Sequence, residues 1–259
     1  MKLYKTVNED LMSDIETFSR KHSLSLYNKV RKENDRRNLE SLLTEAHFGL
    51  YLDKIGSSVK YNNIIGNSLT PDFSFVRSEQ EIIVEVARVN PVQKDMDIED
   101  QECAEIENFQ KQNPGKRFNV KAHSITWKPD KIIGQNGAIA LKASKYKSLI
   151  ANQNKPFIVC VYMAFVSGLD RIDLTHGLYG SVTSLSGEHE GLGYAFNSHF
   201  RILDNALFYN NETVRQTISG ILLKDHDGNF VFFRNFSSSN KLNDENSKFF
   251  QTIQASTVA

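Results

Sequence analysis

The sequence lacks an excess of charge of either sign. Its 259 residues contain 31 Lys and Arg against 31 Asp and Glu, so the formal net charge is zero. This excludes a protein whose whole surface attracts polyanions, but a balanced total still permits local patches. Residues 116–147 hold eight Lys or Arg, and residues 95–107 hold seven acids and no Lys or Arg. Either each patch is a solvated face, or the first binds a phosphate backbone and the second faces away from it.

The sequence also lacks the signatures of structural zinc, disulfide frameworks and membrane spans. Its two cysteines, Cys103 and Cys160, form no CxxC pair, and the histidines show no ligand spacing with them. The longest apolar run, residues 156–166, is too short to cross a bilayer. The first ten residues contain no apolar core of a signal peptide. We therefore expect a cytoplasmic protein with no membrane partner.

What the sequence does contain is an alternation of helical and extended periodicities, which is typical of the α/β class. We predict a helical extension over 1–36, a main domain over 37–236 and a polar, partly disordered tail over 237–259. Gly56 marks the end of the first helix of the main domain. The predicted helices of the main domain are 37–54, 97–111 and 129–152. The predicted strands are 58–65, 72–76, 81–89, 116–127, 156–165, 206–209, 217–224 and 229–233, with loops and short elements over 167–200.

Three acids stand out by their positions in these elements. Glu85 lies inside the apolar strand Ile82-Ile83-Val84-Glu85-Val86-Ala87, where a carboxylate is costly unless something compensates its charge. Asp72 opens the preceding strand, and Glu45 lies beside the apolar stripe of helix 37–54. A hairpin would let Asp72 and Glu85 converge on one hard cation, which prefers oxygen ligands. Alternatively, Glu85 points to solvent or pairs with Arg88, Asp72 is a turn residue and Glu45 is a surface acid.

Taken together, the stretch from Glu45 to Val89 resembles the core of the PD-(D/E)xK, or restriction-endonuclease-like, nuclease superfamily. The matching pieces are Leu43-Thr44-Glu45-Ala46, Pro71-Asp72-Phe73 and Val84-Glu85-Val86. Lys142-Ala-Ser-Lys145-Tyr146 and Pro156-Phe-Ile-Val resemble the helix and strand that complete that core. The resemblance covers roughly residues 37–166. It implies an α/β fold with a restriction-endonuclease-like core, that is, a mixed central β-sheet flanked by helices.

The resemblance also implies a function. It predicts an Mg²⁺-dependent or Mn²⁺-dependent endonuclease that hydrolyses DNA phosphodiesters, in restriction or in defence against foreign DNA. RNA stays open as a substrate, and double-strand cleavage would favour a homodimer. Asp72, Glu85 and Glu45 are the implied catalytic metal ligands. The alternatives are a catalytically inactive member of the same fold that binds nucleic acid or another partner, and an unrelated α/β protein with a chance pattern.

The sequence departs from the family pattern at one position. The family has lysine two residues after the second carboxylate, and this chain has Ala87. Arg88 is a poor substitute because neighbouring strand residues point to opposite faces. Lys142 and Lys145 are three residues apart on one helix face, so either could supply the missing ammonium, or both are simply solvated. We favour Lys145, because Tyr146 next to it belongs to the apolar face of that helix.

Overall fold

The computed structural model describes residues 7–62, 69–88, 93–116, 130–162, 171–188, 195–202, 206–225 and 227–255. These residues form an α/β structure around a six-stranded mixed sheet. The strands are β1 (Ser57–Tyr61), β2 (Phe73–Arg77), β3 (Gln80–Arg88), β4 (Phe157–Tyr162), β5 (Ser181–Glu188), β6 (Ala195–Ile202), β7 (Gly220–Lys224) and β8 (Phe230–Arg234). The order across the sheet is β1-β2-β3-β4-β7-β8, and β5 and β6 form a separate antiparallel pair. The strands β3, β4 and β7 run parallel to one another.

Helices flank the sheet. The helices of the described residues are α1 (Glu9–Lys21), α2 (Leu26–Lys32), α3 (Arg36–Ile55), α4 (Gln93–Gln112), α5 (Asp130–Ile133), α6 (Ala138–Gln153), α7 (Arg171–Tyr179), α8 (Leu207–Asn210), α9 (Glu212–Thr217) and α10 (Asp244–Ala255). The side chain of Asp35 caps α3 by accepting a hydrogen bond from the Asn38 amide, a common way to satisfy the first turn. None of the described helices has both the length and the apolar character needed to cross a membrane.

The alternation of residues along β3 divides the core between the two faces of the sheet. Ile82, Val84 and Val86 pack with α1, α2, α3 and α10 on one face. Ile83 and Ala87 pack with α5 to α9 on the other face. Side chains of a strand alternate between faces. Both faces of the parallel strands are covered, so these strands are mostly apolar, and Glu85 is a buried acid within β3. We call the two sides the α3 face and the α6 face.

The helix and strand predictions of the first half agree closely with the structure. The helix predicted at 37–54 is α3, and the strands predicted at 72–76 and 81–89 are the antiparallel pair β2 and β3. The strand predicted at 58–65 ends earlier, because β1 stops at Tyr61. The strand predicted at 116–127 lies almost wholly outside the described residues.

Two predictions of the second half are wrong. The helix predicted at 129–152 is broken between α5 and α6 by the segment from Gly134 to Gly137, because Gly is a poor helix former. The strand predicted at 206–209 is the one-turn helix α8, whose buried Leu207 and Phe208 lack a periodicity of their own. The prediction of loops and short elements over 167–200 is only coarse, because α7, β5 and most of β6 lie there.

Neither terminal segment is separate from the main domain. In the segment predicted as an extension, Ile15, Phe18 and Val30 belong to the same core as the α3 face of the sheet. The segment predicted as a polar tail contains α10, which packs against β8 and buries Phe250. The low hydrophobicity of 237–259 hid this helix, because a single apolar face is enough to attach it to the sheet.

Candidate active site

Glu85 is the buried acid at the centre of the candidate site. It lies on β3 between Ile83 and Ala87, faces α6, and exposes 2% of its surface. Its Oε1 lies 2.5 Å from Lys142 Nζ and 3.4 Å from Lys145 Nζ. The two ammonium groups compensate a charge that would otherwise be costly to bury. The alternative that Glu85 points to solvent is therefore wrong.

Asp72 meets Glu85 across the hairpin of β2 and β3. The register pairs Phe73 with Val84, which places Asp72 opposite Glu85 at the next step. The Asp72 amide donates to Glu85 Oε2 over 3.2 Å, and Asp72 Oδ2 accepts from the Val86 amide over 2.7 Å. Asp72 Oδ1 accepts no hydrogen bond from the residues that the structure describes. One oxygen of a partly buried carboxylate is thus left for a proton or a cation.

The electrostatic state of Asp72 reflects its acidic neighbours. Burial, followed by the charges of Glu85 and Glu45, raises the pKa of Asp72 to about 7, against the opposing effects of the Val86 amide and Lys142. Two carboxylates held together repel unless a proton or cation lies between them. Asp72 is therefore an acid that binds a proton near neutral pH and would release it to a cation.

Tyr146 connects α6 to both parts of the site. Its ring is fully buried, and its hydroxyl donates to Glu85 Oε2 over 2.8 Å and lies 3.0 Å from the carbonyl oxygen of Thr70. Thr70 is two residues before Asp72. The Tyr146 hydroxyl therefore contacts both Glu85 and the segment that leads into Asp72. Burial is the largest cause that raises the pKa of the Tyr146 hydroxyl, and the charges of Glu85 and Asp72 add to it. The hydroxyl therefore stays protonated and acts as a hydrogen-bond donor. A buried tyrosine hydroxyl needs a partner, and here it orients Glu85.

Glu45 lies at the border of the site, on the α3 side. It accepts a hydrogen bond from the Tyr61 hydroxyl over 2.6 Å. Burial is the largest cause that raises the pKa of Glu45, and the charge of Glu85 adds to it, while Tyr61, Lys29 and Lys142 act in the opposite direction. Glu45 is thus close enough to sense the site electrostatically, but its hydrogen bond is to Tyr61 and not to Asp72 or Glu85.

The oxygen donors of the pair suit a hard divalent cation. Mg²⁺ is usually held by one or two carboxylates together with water and substrate phosphate, and Asp72 and Glu85 supply such a pair. Across the described ranges, no group of three or more His, Cys, Asp or Glu side chains is placed to hold a metal ion. The pair therefore fits a cation that is completed by water and substrate, rather than a cation enclosed by protein ligands. Lys142 Nζ, at 2.5 Å from Glu85 Oε1, would have to share that oxygen or move.

Comparison with protein-family models, with curated proteins and with solved structures gives no match for this chain. The function of this chain is therefore inferred from the geometry of its site together with the resemblance of its motifs.

Of the five predicted site residues, the structure brings Asp72, Lys142 and Lys145 into contact with Glu85. Sequence reasoning favoured Lys145, whereas the structure places Lys142 closer to Glu85. The sequence prediction also missed the roles of two buried tyrosines, Tyr146 and Tyr61. The available signal was a tyrosine within the apolar face of α6, where a phenylalanine would serve packing equally well.

Proposed function

We propose that this chain is a divalent-cation-dependent endonuclease of the PD-(D/E)xK type that hydrolyses DNA phosphodiesters. The observation that carries the proposal is the contact between Glu85, buried in the central sheet, and the ammonium of Lys142. That ammonium reaches the acid pair from α6, while Ala87, which occupies the family's lysine position, is packed into the core. The acids and a cationic side chain are thus assembled although one motif residue is missing.

The proposed roles follow from the contacts. Asp72 and Glu85 would hold Mg²⁺ or Mn²⁺, with Glu45 bordering the site. When bound, the ion would lower the pKa of a coordinated water and neutralise charge on the phosphoryl oxygens. Lys142 would donate to the attacking water or to a phosphoryl oxygen, because it already lies at the acid pair and is partly exposed. Lys145, which is more exposed, would neutralise charge at the entrance.

Asp72 also determines how the site responds to pH. Its pKa of about 7 means that cation binding near neutral pH displaces a proton from a large share of the molecules. Cation affinity should therefore fall as the pH drops below about 7. Cleavage should fall with it whenever the cation is limiting.

The test is cleavage of supercoiled and linear DNA with Mg²⁺ or Mn²⁺ by the wild type and by Asp72→Asn and Glu85→Gln. Glu81→Gln is the matched control, because Glu81 lies on the same strand but pairs with Lys155 and contacts Ser74. We expect the wild type and Glu81→Gln to cleave, and both site variants to be inactive. Equal cleavage by Asp72→Asn and the wild type would refute the proposed site.

One observation favours a second function. Ala87 cannot position water or neutralise developing charge, and a chain that lost catalysis could keep the fold as a module that binds nucleic acid. In that case the wild type would bind DNA but would not cleave DNA or RNA with either cation.

A further inference from the structure

A groove of about 470 Å³ lies between α2 and α3, and Glu45 is one of the residues that line it. Lys29 and Lys32 line its α2 wall, and Asn38, Ser41 and Glu45 line its α3 wall. Both lysines are exposed at the surface. The groove therefore presents ammonium, amide and hydroxyl donors together with Glu45, which borders the candidate active site.

The acids of this groove already accept hydrogen bonds, whereas neither of its lysines forms an ion pair with the residues that the structure describes. Glu33 Oε1 accepts from the Asn34 and Asp35 amides, both at 2.9 Å, and Glu45 accepts from Tyr61. Lys32 forms no ion pair with the described residues. Among the described residues, no carboxylate lies within ion-pair distance of Lys29. Its Nζ lies 3.4 Å from the Tyr61 hydroxyl and 4.7 Å from the centroid of the Tyr61 ring. The ammonium groups are thus available to an external anion.

Lysines flank the acids from both faces of the sheet. Glu45 senses the charge of Lys29 on one side and of Lys142 on the other. A polynucleotide that crosses the acid pair needs cations on both sides of the scissile phosphate, because the acids repel its backbone. Lys142 and Lys145 supply them on the α6 face. Cations in the last turn of α2 are favoured by the partial negative charge of the helix C-terminus. That effect does not explain why Lys29 and Lys32 share a groove with Glu45.

We propose that the α2–α3 groove holds the phosphate backbone of the DNA strand beside the scissile phosphate, with Lys29 and Lys32 each contacting a phosphate. This inference rests on the proposed function, since it assigns the path of that substrate. It places the backbone track on the N-terminal helices, in addition to the basic stretch 116–147. Side chains that neutralise phosphates set affinity and its salt dependence, not sequence preference.

The test measures equilibrium binding of a short fluorescent duplex DNA without divalent cation, so that cleavage is not required. We compare the wild type, Lys29→Ala, Lys32→Ala, the double variant and the control Lys248→Ala, whose lysine is exposed on α10 and does not line the groove. Each lost contact should make the slope of log K against log salt shallower by about 0.9. Between about 50 and about 200 mM salt, this is a factor of about 3.5 in affinity per lysine.

Over that range of salt, the affinity of the wild type should therefore fall by a factor about 12 times larger than the affinity of the double variant. Lys32→Arg keeps the positive charge and should keep the wild-type slope. Lys248→Ala should match the wild type in slope. Thermal unfolding of each variant checks the fold, and Lys32→Ala remains decisive if loss of Lys29 disturbs Tyr61.

The outcomes separate this inference from the proposed function. A wild-type slope and affinity in the double variant, in a protein that still cleaves DNA, would overturn the groove assignment alone. Lysine-dependent binding without any cleavage would support the groove and favour the binding module. A wild type that does not bind DNA at about 50 mM salt would overturn both.

Discussion

Glu85 and Asp225 are two acids that are equally buried, each 2% exposed, yet their surroundings differ in kind. Asp225 pairs with Arg171, and its Oδ1 accepts from the Asn229 amide, which closes the turn between β7 and β8. Burial acts to raise the pKa of Asp225, but these partners lower it below its ordinary value. Its charge is therefore matched locally.

Glu85 is instead surrounded by groups that other elements contribute. Two lysines and Tyr146 come from α6, and a second acid, Asp72, lies immediately before the neighbouring strand β2. The pKa of Asp72 rises to about 7, in contrast to the lowered pKa of Asp225. A carboxylate that closes a turn is satisfied by its own loop and a single cation. An acid pair with a raised pKa is typical of a functional site.

The largest expected effect concerns the ammonium near Glu85. If the site is catalytic, Lys142→Ala should lower the single-turnover cleavage rate by about two to four orders of magnitude, or roughly 3–5 kcal/mol of barrier. Lys145→Ala should lower it less, because Lys145 Nζ is farther from Glu85 Oε1. DNA affinity should stay within a few-fold for a lysine that acts on the transition state. Wild-type rates in both variants would show that neither lysine replaces the motif lysine.

The next effect concerns the acid that closes the turn. Asp225→Asn leaves the Arg171 guanidinium, which is about one-third exposed, without its carboxylate. Breaking a buried ion pair costs about 3–5 kcal/mol, and the exposure of Arg171 puts the expected loss near about 3 kcal/mol. We would measure this by urea unfolding, with Asp14→Asn, at an exposed position of α1, as a control. An unchanged free energy of unfolding would mean that Asp225 is not the structural member of the comparison.

The sequence could predict the elements that carry the acids, but not all the partners of those acids. Periodicity located α3, β2 and β3, and the β2–β3 register then brings Asp72 to Glu85. The contact of Tyr146 with Glu85 depends on how α6 lies on the sheet, which no local pattern specifies. The pairing of Arg171 with Asp225 joins residues 54 positions apart, and only the folded chain relates them.

The third prediction concerns stability as a function of pH without divalent cation. The pKa of Asp72 is raised from 3.8 to about 7, so the folded state holds a proton that the unfolded state releases between these pH values. The contribution of Asp72 to stability is therefore fully present below about pH 4 and is lost as pH rises through about 7.

The side chain introduced by Asp72→Asn does not titrate. Between about pH 5 and about pH 7, the free energy of unfolding of this variant should therefore rise by about 2 kcal/mol relative to that of the wild type. Urea unfolding at each pH measures the difference, which cancels the contributions of other groups. Added Mg²⁺ should favour the wild type and narrow the gap. A large loss of stability in Asp72→Asn at every pH would instead identify Asp72 as a turn residue, like Asp225.

The smallest effect concerns Tyr146, which we assign as a positioning residue. Tyr146→Phe keeps the buried ring against Phe157 but removes the hydrogen bond to Glu85 Oε2. Groups that orient a metal ligand typically change cation affinity by about 10-fold to 100-fold. We expect about a tenfold weaker Mg²⁺ affinity, at the lower end of that range, because Lys142 and the Asp72 amide still hold the carboxylate.

Calorimetric titration of Mg²⁺ measures this affinity directly. The matched control is Tyr179→Phe, because the Tyr179 hydroxyl donates to the Arg234 carbonyl and does not contact Glu85. A purely structural role for Tyr146 would lower the free energy of unfolding without changing Mg²⁺ affinity, and that result would remove Tyr146 from the site.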